Sequence, residues 1–325
     1  MHEISLIIAT LGERPEDLCL FLRSVVPQAD YLCDVIVVDQ NPDEQLIPIL
    51  LEQFRGVLPI RCIRSERGLS RARNHALPLA SGTIVAFPDD DCLYPEGLLE
   101  WVVNWFESSQ RYDILAVGAN DASGAVSANR WPQSSCEIHP ISAFRTTSSS
   151  SLFVRTDIAM TEEFDVQLGL GSGTPHGSGE EIDYVLRLIR AGARGRFDRT
   201  RHIVHPRRDM LSDEGSASRA ESYGLGMGHL LRIHALPTLW VSFLAYNLAR
   251  TGGALCRGNL NSYKLCVAQT RGLWRGYLAQ TEATATKSAA TCSALHAIAT
   301  QPYPGSIPRD VGSISPQATG YRNGH

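Results

Sequence analysis

The sequence predicts an α/β protein, a mostly parallel sheet with helices on both faces, followed by a helical C-terminal region. Three observations carry this. Short β-branched apolar runs alternate with segments of helical periodicity over residues 4–108. The runs are apolar at successive positions, as strands covered by helices on both faces must be. Each run also exits into a polar loop, and such sheets gather their ligands outside the carboxyl ends of their strands.

Residues 4–9 (ISLIIA) and 34–38 (DVIVV) are too short for helices and read as parallel strands. Between them, residues 15–27 place Leu18, Phe21, Leu22, Val25 and Val26 at helical spacing, and residues 43–54 repeat the pattern with Leu46, Ile49, Leu50 and Phe54. A strand over 60–64, a helix over 70–80, a strand over 83–88 and a helix over 95–108 continue the alternation. Antiparallel strands are predicted over 114–118 and 150–155, then a Gly-rich loop over 169–179 and a helix over 180–191. Residues 216–280 read as helical. The last 45 residues, rich in Ala, Thr, Ser, Gly and Pro, bury too little apolar surface to repay ordering and are predicted to be a disordered tail. The expected division is therefore 1–210, 211–280 and 281–325.

At 325 residues, 43% hydrophobic and 20% charged, the chain falls outside the collagenous, fully disordered and multi-span membrane classes. Its net charge of −4 hides an asymmetry: residues 1–186 hold 27 acidic groups against 12 Lys and Arg, whereas 187–280 hold 5 against 15. The basic region suits phosphates or an anionic membrane surface. It carries no recognisable nucleic-acid reading motif, so no nucleic-acid partner is expected. Eight cysteines without paired spacing signal neither a zinc site nor a disulfide framework. The first residues lack a signal-peptide pattern, which together with the cysteines predicts a cytoplasmic protein. Residues 233–249 carry no charged side chain, yet 17 residues with an internal Pro237 fall short of the roughly 20 that span a bilayer. They read as an interfacial or re-entrant helix at the inner face of the cytoplasmic membrane, flanked by Arg232, Arg250, Arg257, Lys264, Arg271 and Arg275, or equally as a buried helix over the sheet.

The loops at the strand ends carry the chemistry. Asp89-Asp90-Asp91 places three carboxylates after a buried strand, where mutual repulsion favours a bound cation; hard oxygen ligands suit Mg2+ or Mn2+. A solvated turn before the next helix is the alternative. Arg71 and Arg73 stand just inside a predicted helix start that already favours anions, or else are simply exposed. Trp101 and Trp105 read as core, Trp131 as a stacking platform for a sugar, and His176 as a loop histidine within reach of substrate.

The ordered segments SLIIAT, DVIVVDQ, RGLSRARNHAL, SGTIVAFPDDDCLYPEGLLE, FDVQLGLG and GSGEEIDYVLRLIRAG resemble a family 2 glycosyltransferase with the GT-A fold, a Rossmann-like sheet, over about residues 3–210. The resemblance implies a nucleotide-sugar donor, UDP-linked, a divalent metal, and inversion at the anomeric carbon by one displacement. It implies that Thr10, Glu13 and Asp39 hold base and ribose, that Arg71 or Arg73 lies at the diphosphate, and that Asp89 and Asp91 form the D-x-D element. His205 resembles the histidine that completes the metal site. The family's Glu-Asp pair stands here as Glu180-Glu181, which leaves the base among Glu180, Glu181 and Asp183; Glu181 is the choice. The expected acceptor is a glycan or lipid-linked molecule of surface polysaccharide synthesis. A sugar-nucleotide nucleotidylyltransferase and a non-catalytic nucleotide-sugar-binding protein are the rival readings; the first would need a Gly-rich activating loop where Thr-Leu-Gly-Glu-Arg stands.

Overall fold

In the computed structural model, which describes residues 3–127, 131–206 and 215–279, eight strands form one sheet. They are β1 (Ile4–Thr10), β2 (Leu32–Asp39), β3 (Ile60–Arg64), β4 (Ile84–Ala86), β5 (Ile114–Asn120), β6 (Cys136–Ile138), β7 (Leu152–Arg155) and β8 (Gly195–Val204). Their order is β3-β2-β1-β4-β7-β5-β8-β6. The first four run parallel; β7 is antiparallel to both β4 and β5, as predicted for 114–118 and 150–155, while β5 pairs parallel with β8. Ile4, Leu6, Ile8 and Val35 to Val38 are solvent-free on both faces, which is why no polar alternation marks these strands.

The sheet is dressed by α1 (Pro15–Val25), α2 (Leu46–Leu51), α3 (Leu69–Ala76), α4 (Leu98–Ser108), the single turns α5 (Ala143–Thr146) and α6 (Thr156–Ala159), and α7 (Glu180–Arg190). Three predicted helices are shorter than expected; the one over 95–108 starts at Leu98. The helix expected over 43–54 starts at Leu46, because the amides of Asp43 and Gln45 are captured by the side chains of Asn41 and Asp43 (2.9 and 3.0 Å) in successive turns. The one expected over 70–80 ends at Ala76 and tightens into a 3₁₀ turn through Pro78.

Three helices follow: α8 (Ser216–Ile233), α9 (Pro237–Cys256) and α10 (Leu260–Leu278). The uncharged stretch 233–249 is therefore not one helix; Ile233 closes α8, and Pro237 opens α9 after a turn. Leu230, Leu231 and Leu273 belong to the same hydrophobic core as the sheet. The α8–α10 contact is backbone on backbone. A methyl group added at Gly224, Gly228, Gly272 or Gly276 would overlap the carbonyl oxygen of Gln269, Leu273, Glu221 or Leu225 in turn, and one at Gly226 would overlap that of Ser178. Helix α8 is thus a bare rod between α10 and the Gly-rich loop. The tail predicted for 281–325 and the basic residues Arg207 and Arg208 lie outside the described residues, as does Arg130.

Candidate active site

Strand pairing brings the carboxyl ends of β1, β4 and β8 to one rim. Asp89 continues β4 in a parallel bridge to Ala9, while Leu93 and Val204 exchange two backbone hydrogen bonds of 2.7 and 2.9 Å. That exchange sets His205 opposite the Asp triplet. His205 Nε2 lies 3.6 Å from Asp89 Oδ2 and 3.7 Å from Asp91 Oδ1, and the ligand atoms of the three residues fall within 4.8 Å of one another. Burial would lower the imidazole pKa, but Asp89 and Asp91 outweigh it and raise it. Two carboxylates and one imidazole are a donor set that fits Mn2+ or Mg2+.

The protein supplies cations of its own here. Arg14 donates to Asp90 Oδ1 at 2.5 Å and to Asp91 Oδ2. Asp90 is buried and also accepts from the Thr10 hydroxyl at 2.7 Å; burial raises its pKa despite both donors. Arg73 is fully buried, between Asp89 Oδ1 (3.6 Å) and Glu180 Oε1 (3.4 Å), with its guanidinium over the Phe164 ring. Arg14 and Arg73 thus already offset part of the repulsion within the triplet, beside the donor set that could hold an ion. Arg71, by contrast, is half-exposed and donates to the Arg67 carbonyl (3.2 Å).

Helix α3 also anchors the loop that leads to α7. Asn74 exchanges hydrogen bonds of 2.8 Å with the Phe164 backbone, and Ser70 Oγ donates to the Leu168 carbonyl at 3.0 Å. The separate motifs RGLSRARNHAL and FDVQLGLG are thus one structural unit. The loop ends at Gly179, whose φ of +97° starts α7 in a conformation that favours glycine.

Three carboxylates in the first turn of α7 have three different surroundings. Glu180 is buried and faces Arg73. Glu181 is half-buried; burial first and Glu180 second push its carboxyl up to about 8, against the pull of its own backbone N–H and Arg73. Asp183 points the other way, with Oδ1 2.8 Å from His234 Nε2 and Oδ2 2.8 Å from Arg187. Burial would raise Asp183, but His234 and Arg187 hold it below the ordinary value. Its carboxylate is engaged within the protein, and the pairing fixes α7 to the end of α8.

The residues expected on the nucleoside side are spread along the same rim. Asp39 is buried at the end of β2, accepting from the Asn41 amide (2.8 Å) and Arg64 (2.9 Å). Glu13 is exposed, and Thr10, tied to Asp90, has its hydroxyl committed to the triplet rather than to solvent. Trp131 is corrected from a sugar platform to a core residue: it is 4% exposed, stacks on Phe197, and donates to the carbonyls of Ala119 and Ser127. Trp101 and Trp105 pack against the core as expected.

His176 in the Gly-rich loop stacks on His229 of α8 with ring centroids 4.3 Å apart, and neither Nδ1 has a hydrogen-bond partner. Burial and the neighbouring His176 push His229 down to about 4. The native state thus holds His229 neutral, whereas the unfolded chain protonates near 6.5, so stability is present above about pH 6.5 and lost as pH falls toward 4. Thermal melts across that range are expected to show a loss of up to about 3 kcal/mol that His229→Phe reduces. Identical pH slopes for the two proteins would refute this.

Residues 5–160 match the family model described as Glycosyl transferase family 2. The minor teichoic acid biosynthesis protein GgaB of Bacillus subtilis (strain 168) is 27% identical over 150 residues, 42% of this chain but 16% of that protein. Among solved structures, residues 1–349 of S. aureus TarS in complex with UDP-GlcNAc superpose with a TM-score of 0.55 at 19% identity, covering 70% of this chain and 65% of that one. The mannosyltransferase PcManGT from Pyrobaculum calidifontis, in complex with GDP-Man and Mn2+, gives 0.53 at 15% identity, over 90% and 80%. These structures share the fold.

Proposed function

We propose, from the match of residues 5–160 to glycosyl transferase family 2, that the protein is a divalent-metal-dependent, inverting glycosyltransferase using a UDP-linked sugar. The observation that carries the reading is the convergence on one rim of Asp89, Asp91 and His205 with the carboxylates that open α7, joined through buried Arg73. The UDP-GlcNAc and UDP bound to TarS favour that donor class, and the Mn2+ of PcManGT favours the metal. GgaB favours a glycan or lipid-linked acceptor of cell-surface polymer synthesis.

Asp39 and Glu13 flank the nucleoside, with Thr10 fixing the loop between them. Half-exposed Arg71 reaches the diphosphate, while Arg73 holds Asp89 and Glu180 in place. Asp89, Asp91 and His205 would hold the divalent ion, which would supply positive charge against the leaving diphosphate. Glu181 accepts the proton of the acceptor hydroxyl as its oxygen bonds to the anomeric carbon and the bond to the diphosphate oxygen breaks on the opposite face. UDP release from a panel of UDP-sugars with Mn2+, with and without a soluble glycan or lipid-linked acceptor, tests this. Acceptor-stimulated release is expected; donor binding without release under any condition would favour a non-catalytic protein.

The C-terminal helices support the membrane aspect of the proposal. On α9 Asn247 and Ala254 are buried and Leu239, Trp240, Phe243 and Leu244 pack against the core, while the rest of the helix is open. Val241, Leu248 and Leu255 stand exposed at seven-residue intervals along one side of α9, Trp274 and Leu278 of α10 are exposed too, and Arg250 on α9, Arg257 at its C-terminus and Lys264 on α10 are exposed cations. No helix among the described residues is long and apolar enough to cross a membrane. Exposed apolar side chains together with exposed cations on the same helices suit an anionic headgroup layer. The protein is expected to co-sediment with anionic vesicles, less so in high salt, and Val241→Ser with Leu248→Ser is expected to release it at unchanged melting temperature. Trp240, stacked on Tyr277, and Phe243, against Phe144, serve packing instead. Equal sedimentation with neutral vesicles, or none at all, would end the membrane reading.

A further inference from the structure

The two carboxylates of the metal site are each shared between an arginine and the face toward His205. Asp89 turns Oδ2 to His205 Nε2 (3.6 Å) and Oδ1 to Arg73 (3.6 Å); Asp91 turns Oδ1 to His205 Nε2 (3.7 Å) and Oδ2 to Arg14. Arg14 is held in turn by Asp90 Oδ1 (2.5 Å), whose other oxygen takes the Thr10 hydroxyl. The planar fork of a guanidinium spans two carboxylates in a way a point charge cannot. Arg14 therefore fixes the rotation of Asp91 as well as reducing its charge.

The rotation of Asp91 bears on the kind of ion admitted. Mg2+ and Mn2+ take single oxygens in near-octahedral arrangements, whereas Ca2+ accepts six to eight oxygens and readily uses both oxygens of a carboxylate. We propose that Arg14 is a positioning residue for metal selectivity: by occupying the outer oxygen of Asp91 it presents that carboxylate through one oxygen and disfavours Ca2+ relative to Mn2+. Arg73 does the same for Asp89, but its tie to Glu180 makes it a poor test. Arg14 lies at the edge of the rim with its side chain 37% exposed, so replacing it opens no core. The inference rests on the metal reading above.

The two explanations of Arg14, charge and orientation, predict different metal titrations. Loss of a cation beside the site strengthens every divalent ion alike; release of the Asp91 oxygen strengthens Ca2+ selectively. Mn2+ binding to the full-length protein, followed by electron paramagnetic resonance with Ca2+ as competitor and no nucleotide, reads both affinities. In Arg14→Met the Mn2+ preference over Ca2+ is expected to fall about tenfold, the lower end of what residues behind metal ligands contribute. Arg14→Lys, which keeps the charge without the fork, is expected to shift the ratio in the same direction with less change in Mn2+ affinity, and it decides the matter should the Met variant not fold. Equal tightening for both ions, or an unchanged ratio in the folded variants, overturns the proposal. A wild type that binds no more Mn2+ than Asp91→Asn would overturn the metal reading itself, a result distinct from either.

Discussion

Glu181→Gln is expected to lower turnover by about 10²- to 10⁴-fold, the range of a positioned general base, with donor affinity within a few fold of wild type. The amide keeps the size and the hydrogen-bonding reach of the side chain and cannot take up the acceptor proton. The raised pKa adds a second signature. With its carboxyl pushed up to about 8, Glu181 is largely protonated at neutral pH, so kcat/KM is expected to climb with pH and level off above about 8. The variant should lose that climb together with its activity. Glu180→Gln differs in kind, because Glu180 is a buried partner of Arg73, and its replacement should disturb Arg73 and Asp89 before it touches proton transfer. Wild-type turnover in Glu181→Gln would reject the assignment, and collapse in Glu180→Gln with intact metal binding would transfer the role to it.

Asp91→Asn is expected to abolish most Mn2+-dependent donor binding while the melting temperature stays near that of wild type. The substitution takes a charged ligand from the Asp89–Asp91–His205 group but keeps a side chain of the same shape beside Arg14. Isothermal titration with UDP, with and without Mn2+, separates the two components. If Mn2+ enhances UDP binding as much in the variant as in wild type, Asp91 is not a ligand. His205→Ala should follow Asp91→Asn in direction, since the hydrogen-bond exchange between Leu93 and Val204 holds His205 at the site from another strand.

The parallel half of the sheet was legible because buried strands are written locally, in runs such as IVVD and LIIA whose apolar character needs no partner to interpret. The shortened helices were less so. The Asx turns at Asn41 and Asp43 compete with helix over the same residues, and periodicity does not register that competition. At the site, residue type pointed to the Asp triplet, and the family resemblance to Asp89, Asp91 and His205, which the structure gathers. Arg14 was visible as the end of a strand-exit loop, but its pairing with Asp90 and Asp91 joins positions more than 70 residues apart, and nothing near it in sequence indicates that partner. The division of labour between Arg71 and Arg73 was hidden for a related reason: two residues apart on a helix, they face different ways, and only the packing of Phe164 determines which one is buried. Trp131 misled because a tryptophan beside a proline looks alike whether it faces solvent or core.

The bare contact between α8 and α10 also acts as a constraint on descent. Gly224 and Gly228 meet backbone from α10, Gly272 and Gly276 meet backbone from α8, and Gly226 meets the Ser178 carbonyl on the far side of the same helix. A single step from any of these glycines to alanine must force the helix axes apart or push the Gly-rich loop, and no second step at a side chain can compensate, because the obstacle is main chain. The five positions are therefore coupled as a set. A relative that retains the two Gly-x-x-x-Gly spacings and Gly226 inherits this placement of the loop before Glu180 and Glu181, and one that has lost them reached its own by a different path.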